Sequence, residues 1–125
     1  MTASVQMSRS GVSHVSHDSL ALLRSLLETE ARTQSAQRAA HEASVSLLRD
    51  YTDADGVLER ELAEAGAARA AEALADIEHA LERIESGTYC SCERCGTAIP
   101  LERLVVVPAA RLCVACAATP YGFRR

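Results

Sequence analysis

Two Cys-x-x-Cys pairs constrain this chain more than any other sequence feature. Cys92 and Cys95 form the first pair, seventeen residues follow, and Cys113 and Cys116 form the second. Structural zinc takes four ligands in a tetrahedron, and each such pair supplies two thiolates from one tight turn. Gly96 directly follows the first pair and can adopt the positive φ that such turns use. The spacing therefore predicts one structural Zn2+ held by Cys92, Cys95, Cys113 and Cys116.

Two disulfides, or one redox-active pair, are the alternative interpretation of this spacing. Disulfides persist in oxidising compartments, whereas the first nineteen residues are polar and serine-rich and lack the apolar stretch of a secretory signal. The longest apolar run, Leu104 to Ala110, contains Pro108 and is too short to cross a bilayer. We therefore expect zinc, a cytoplasmic location and no membrane association.

The cysteine pattern also bears on catalysis and leaves one thiol over. A zinc ion with four thiolate ligands has no open position for water or substrate, so the sequence predicts that the protein is not an enzyme. The fifth cysteine, Cys90, lies two residues before Cys92. It is interpreted as a bystander, with a spare ligand or a redox-exposed thiol as the alternatives.

The rest of the chain is rich in helix formers and poor in large core residues. Its 125 residues include 23 alanines, one phenylalanine and no tryptophan. Apolar residues recur every three or four positions, interrupted by turn-forming residues from Asp50 to Gly56. Two helices joined by a short turn form an antiparallel hairpin. We therefore predict a mainly α protein with a flexible tail over 1–17, a helical hairpin over 18–87 with its tip at about 50–56, and a zinc finger with a short C-terminal segment over 88–125.

The same period predicts where each helix begins and ends and which side chains face its partner. Asp18 or Ser19 is expected to cap the first helix, and Ser86-Gly87 to end the second. The seam of the first helix is predicted to contain Leu20, Leu23, Leu27, Ala36, Ala39 or Ala40, Ala43 and Leu47, and that of the second Leu58, Leu62, Ala65, Leu74, Ile77, Leu81 and Ile84. Such an alanine-rich seam leaves the oligomeric state open.

Charge is distributed unevenly along the chain, whose formal net charge is -4. The segment from Asp50 to Glu61 contains five carboxylates and only Arg60 as a base, which also gives -4. Carboxylates at a helix start gain about 0.3–1 kcal/mol each from the helix dipole, which accounts for them without any function.

The finger has the opposite sign of charge. Residues 88–125 contain two glutamates and five arginines, and four thiolates on Zn2+ reduce this excess of positive charge to about +1. That is too little for firm phosphate binding, so no direct sequence-specific DNA binding is expected. A finger that binds DNA through its basic residues is the weaker hypothesis; those residues are Arg94, Arg103, Arg111, Arg124 and Arg125.

A longer pattern surrounds the cysteines: Ala80–Tyr89, Cys92–Gly96, Ile99-Pro100, Arg103-Leu104, Pro108 and Leu112–Cys116. Over about Leu74 to Ala117 it resembles the DksA/TraR family of zinc-finger transcription regulators. The resemblance implies a long antiparallel coiled coil with a four-Cys zinc finger at its base. It also implies that the coiled coil enters the secondary channel of bacterial RNA polymerase, without reading a DNA sequence. Cys90 departs from the family, which usually has glycine there.

The resemblance implies a role for the acidic turn as well. Family members carry Asp-x-x-Asp-x-Ala at the coiled-coil tip, close to the polymerase active centre. One register matches Asp50 and Asp53, and another matches Asp55 but has Thr52 at the first position. Asp50, Asp53 and Asp55 are therefore the candidate partner-binding residues. The alternative is a zinc-stabilised protein–protein adaptor of the same fold, in which neutralising the tip has no effect.

Overall fold

Helices dominate the computed structural model, which describes residues 15–118. In this range α1 spans His17–Leu47, α2 spans Ala54–Ser86, α3 spans Leu101–Val106 and α4 spans Val114–Ala118. An isolated antiparallel bridge joins Ser91 to Ala98, and these described residues contain no longer strand. The predicted mainly α class, with two long helices preceding a cysteine-rich segment, is confirmed.

The first helix begins earlier than the leucine pattern indicates. Ser16 is the N-cap, since its Oγ accepts a hydrogen bond of 3.0 Å from the Ser19 amide. The predicted caps, Asp18 and Ser19, lie inside the first turn instead, and Val15, just before the cap, is buried. Most of the predicted tail, residues 1–14, lies outside the described residues.

The second helix ends at the predicted stop. Gly87 has a φ of 83°, a left-handed conformation that favours glycine. The Thr88 amide donates to the Arg83 carbonyl at 2.9 Å and the Gly87 amide to the Ile84 carbonyl at 3.3 Å. This pair of bonds is a Schellman motif, which satisfies carbonyls that the helix end leaves unpaired.

Contacts divide the chain into two compact units. The finger unit contains, among the described residues, 15–27 and 77–118. Its core combines apolar side chains from the two long helices with side chains that follow α2: Leu23, Leu27, Ile77, Ile84, Tyr89, Ile99 and Leu104. The finger is therefore packed on the beginning of α1 and the end of α2, as the predicted hairpin base requires.

The turn unit, Glu28–Asp76, contains the rest of both long helices and the turn that joins them. Its buried apolar residues are small: Ala63 and Ala70, with Gly66 buried between them. A Cβ built on Gly66 would lie 2.6 Å from the His41 imidazole, so the ring occupies the space that glycine leaves. Small residues at 63, 66 and 70 thus let α1 and α2 approach closely.

The seam prediction holds in the finger unit and is wrong at most positions of the turn unit, where Leu74 is half-buried. Leu23, Leu27, Ile77 and Ile84 are buried as predicted. Leu47, Leu58 and Leu62, however, are 78%, 55% and 62% exposed, and Ala36, Ala39, Ala40, Ala43 and Ala65 are exposed too. The physical reason is that the face of α2 that approaches α1 most closely buries glycine and alanine, so Leu58 and Leu62 remain exposed.

Candidate functional site

The first cysteine pair lies in a tight turn after α2. The Cys92 amide donates to the Thr97 carbonyl at 2.8 Å, and the Gly96 amide donates to the Cys92 carbonyl at 2.9 Å. Gly96 has a φ of 80°, the positive value predicted for this position. The turn brings the Cys92 and Cys95 side chains to the same side of the backbone, where the second pair meets them.

The second pair is positioned by the start of α4. Cys113 immediately precedes the helix and accepts, at its carbonyl, a hydrogen bond of 2.9 Å from the Ala117 amide. Cys116 lies within the helix and is buried. The Glu93 amide donates to the Arg111 carbonyl at 2.8 Å, which ties the two cysteine segments together.

The four predicted sulfurs form one cluster. The Sγ atoms of Cys92, Cys95, Cys113 and Cys116 all lie within 4.8 Å of one another, and the Cys95 and Cys113 sulfurs are 3.8 Å apart. Four thiolates at about 2.3 Å from a tetrahedral zinc ion would themselves be separated by about 3.8 Å. All five cysteines are free thiols, so the disulfide alternative is not realised. The donor set fits Zn2+ in number, type and spacing.

The cluster lowers the thiol pKa at Cys92 and Cys95 and raises it at Cys116. Burial raises the pKa of the Cys92 thiol, but the backbone N–H groups of Cys113, Cys95 and Arg94 outweigh it and lower the pKa to about 6. Burial and the neighbouring cysteines raise the pKa of Cys116 to about 12. A cation bound among the four sulfurs would favour the thiolate form at each of them.

Cys90 lies outside the cluster and belongs to the core. Its side chain is fully buried, and its carbonyl accepts a hydrogen bond of 2.8 Å from the Ile99 amide. Burial raises the pKa of its thiol to about 11, an effect that the Arg83 charge partly offsets. The structure therefore assigns this cysteine a packing role next to the finger.

Arg83, which the sequence analysis did not single out, connects α2 to the finger. Its guanidinium is buried and donates to the carbonyls of Thr88 and Ser91, and it lies 3.4 Å from a Glu93 carboxylate oxygen. His79 also contacts the Glu93 carboxylate. The helical period indicates only that Arg83 lies on the buried face, three positions after Ala80, and does not indicate its partners.

The acidic turn is held by side chains that cap both helices. Asp53 caps α2, since its Oδ2 accepts a hydrogen bond of 3.2 Å from the Gly56 amide. Arg60 donates to the carbonyls of Leu48, Arg49 and Tyr51 at 2.8, 3.2 and 3.1 Å. These carbonyls follow the last residue of α1, where a positive charge is favoured.

The three predicted tip residues lie in or beside this turn and are exposed: Asp50, Asp53 and Asp55. Asp50 and Asp53 precede α2, and Asp55 lies in its first turn. The sequence did not indicate Arg60 as their organiser, because its bonds depend on how closely the two helices approach.

Comparison with known proteins agrees with this architecture. The solved structure of transcription factor DksA2 from Pseudomonas aeruginosa superposes with a TM-score of 0.77 at 22% sequence identity, covering 96% of each chain. The fold and the four clustered thiols thus define a class: proteins with a long helical hairpin and a C4 zinc finger. The model of the prokaryotic DksA/TraR C4-type zinc finger matches residues 87–121, so the finger segment of this chain is similar to that family.

Three curated proteins share shorter segments with this chain. An uncharacterised protein of Aquifex aeolicus is 54% identical over 44 residues, YteA of Bacillus subtilis is 56% identical over 39, and general stress protein 16O of Bacillus subtilis is 46% identical over 43. These segments cover 35%, 31% and 34% of this chain. They cover only 30%, 16% and 26% of the respective relatives.

Proposed function

We propose that this protein is a cytoplasmic, non-enzymatic transcription regulator that binds bacterial RNA polymerase through the secondary channel. In this proposal Asp50, Asp53 and Asp55 enter the channel and act near the active centre. The observation that carries it is an exposed acidic turn, capped at both helix ends, in a chain with the finger of the DksA/TraR family. Carboxylates there perturb a Mg2+-dependent site through their charge, without any catalysis by this protein.

The zinc ion has a structural role in the proposal. Cys92, Cys95, Cys113 and Cys116 are its ligands, and the bound ion supplies the crosslink between the two cysteine segments. The surrounding residues orient them: Tyr89 donates to the Pro108 carbonyl at 2.7 Å, and Arg103 donates to the Leu112 carbonyl at 3.0 Å. The Arg103 guanidinium therefore serves the fold of the finger, which argues against DNA binding as its purpose.

The proposed partner of this chain is a protein, RNA polymerase. Within residues 15–118 no helix is both long and apolar enough to span a bilayer.

The direct test is binding of the zinc-loaded protein to core RNA polymerase, measured with and without a known secondary-channel factor. Competition between the two supports the proposal, whereas simultaneous binding of both factors, or no binding of this protein, contradicts it.

A further inference from the structure

Two leucines of α2 present an apolar surface that the hairpin leaves largely uncovered. Leu58 and Leu62 are 55% and 62% exposed and lie one helical turn apart, so they share a face of the helix. Helical spacing adds the exposed carboxylates of Asp55 and Glu59 to that face. We call these four residues the Leu58–Leu62 strip.

The turn unit leaves more than half of each leucine side chain in the strip uncovered. That unit buries Ala63, Gly66 and Ala70 on the face of α2 that approaches α1. Leucines at helical spacing that remain exposed gain stability only when a partner covers them. The carboxylates beside them favour a partner of opposite charge.

We propose that the Leu58–Leu62 strip docks on a polymerase surface that is apolar at its centre and carries lysine or arginine side chains at its rim. This inference rests on the proposed function, because the strip begins two residues after Asp53 and continues the acidic turn along α2. Apolar burial supplies affinity and the rim charges supply orientation. The turn then delivers its carboxylates while the strip holds the helix in place.

A second copy of this chain is a poorer occupant. Self-association through the strip would bring the Asp55 and Glu59 carboxylates of two molecules together, and like charges across an interface are unfavourable. Two leucines also provide far less area than the roughly 1,200 Å2 that a stable protein interface buries. The strip fits one part of a larger contact, as the channel of a polymerase would provide.

The test replaces both leucines with a polar helix former. Glutamine at 58 and 62 removes the apolar surface and keeps helix propensity, so Leu58→Gln/Leu62→Gln retains the fold by circular dichroism and zinc content. Leu22→Gln is the matched control, because Leu22 is also an exposed leucine, 57%, on α1. We expect the double variant to bind core RNA polymerase more weakly by on the order of tenfold, and the control to bind like wild type.

The outcomes separate this inference from the function on which it rests. If wild type binds and the double variant binds equally well, the strip is not a docking surface and the proposed function stands. If wild type itself does not bind, both proposals fall. A wild-type dimer that the double variant converts to a monomer in sedimentation would identify a second copy as the occupant and overturn the inference. Should the double variant unfold, each single leucine variant gives the same comparison.

Discussion

At the residue scale, the finger depends on a small number of buried polar contacts. Tyr89 donates to the Pro108 carbonyl, and Arg83 donates to those of Thr88 and Ser91. Every buried side-chain nitrogen or oxygen among residues 15–118 has a hydrogen-bond partner. A buried carbonyl that loses its donor keeps the desolvation cost without the bond. Single substitutions here should therefore lower stability without changing the ligand set.

Tyr89→Phe tests this expectation with one atom. The hydroxyl donates to the Pro108 carbonyl at 2.7 Å, so its removal should lower the free energy of unfolding by about 1–2 kcal/mol. Zinc stoichiometry should remain unchanged. Urea denaturation and metal analysis of both proteins measure the two quantities, and an unchanged unfolding free energy would contradict the assigned role of the hydroxyl.

The difference in unfolding free energy between wild type and Tyr89→Phe should also depend on pH. Burial raises the pKa of Tyr89 well above its ordinary value of about 10, so the folded protein keeps a proton that the unfolded chain loses. The stability difference between wild type and Tyr89→Phe should therefore be complete below pH 10 and shrink as the pH rises further. A difference that grows above pH 10 would be inconsistent with the raised pKa.

The cysteines provide a second comparison at this scale. Cys92 belongs to the sulfur cluster and Cys90 does not, although only one residue separates them. Cys90→Ser should retain one zinc ion per chain, and Cys92→Ser should lose it or bind it far more weakly, because three thiolates replace four. Mass spectrometry after dialysis measures the zinc content of each variant. Equal zinc content in the two variants would contradict the ligand assignment.

The sequence predicted the cysteine cluster better than its surroundings. Paired cysteines have one geometric solution around zinc, so their spacing alone identified the four sulfurs that the structure brings together. The roles of Arg83 and Glu93 depend on a contact between a helix and a later turn, which spacing along one element does not encode. Asp18 and Ser19 were the predicted caps, but Ser16 is an equally good N-cap residue, and the hydrogen bond from the Ser19 amide identifies it as the cap.

At the element scale, two glycines determine how the long helices meet. A Cβ on Gly56 would lie 2.6 Å from both Cβ and Cδ2 of Tyr51, whereas a Cβ on Gly66 would meet only the end of the His41 ring. The Tyr51 Cβ cannot move without its backbone, but the imidazole can rotate away. The two positions therefore tolerate a methyl group differently.

Gly56→Ala should lower the free energy of unfolding by about 1–3 kcal/mol, since the turn must shift. Gly66→Ala should remain within about 1 kcal/mol of wild type, because the gain in helix propensity offsets displacement of His41. In a His41→Ala background, Gly66→Ala should stabilise by about 1 kcal/mol. Thermal and urea unfolding check all three, and equal losses for the two glycine variants would contradict the close contact at Tyr51.

The same packing explains where the sequence failed at this scale. Leucine is the usual marker of a helix seam, and it marked the finger unit correctly at Leu23 and Leu27. In the turn unit the helices approach through Ala63, Gly66 and Ala70, so the strongest hydrophobes of α2 lie elsewhere. A search for helical periodicity that weights residues by their hydrophobicity cannot detect a seam made of glycine and alanine.

At the scale of the whole molecule, the two units differ in which kinds of residue they contain. The finger unit contains the large buried side chains and the zinc-binding thiols, and the turn unit contains the acidic turn and the exposed leucines. The finger unit therefore contains the residues that stabilise the fold. The turn unit presents carboxylates and leucine side chains that its own packing leaves exposed. This division supports the proposed function, in which the turn unit contacts a larger partner.

The most direct test of the central claim compares two charge-neutralised variants in transcription by purified RNA polymerase. Asp53→Asn/Asp55→Asn removes two charges from the turn, and asparagine at 53 preserves the N-cap. Glu64→Gln/Glu72→Gln is the control, because it removes the same charge from exposed positions further along α2. Both variants should bind polymerase in competition with a known secondary-channel factor; the aspartate variant should lose most of the effect on transcription and the glutamate variant should retain it. If the aspartate variant regulates transcription as wild type does, the acidic turn is not the acting element and the account is contradicted.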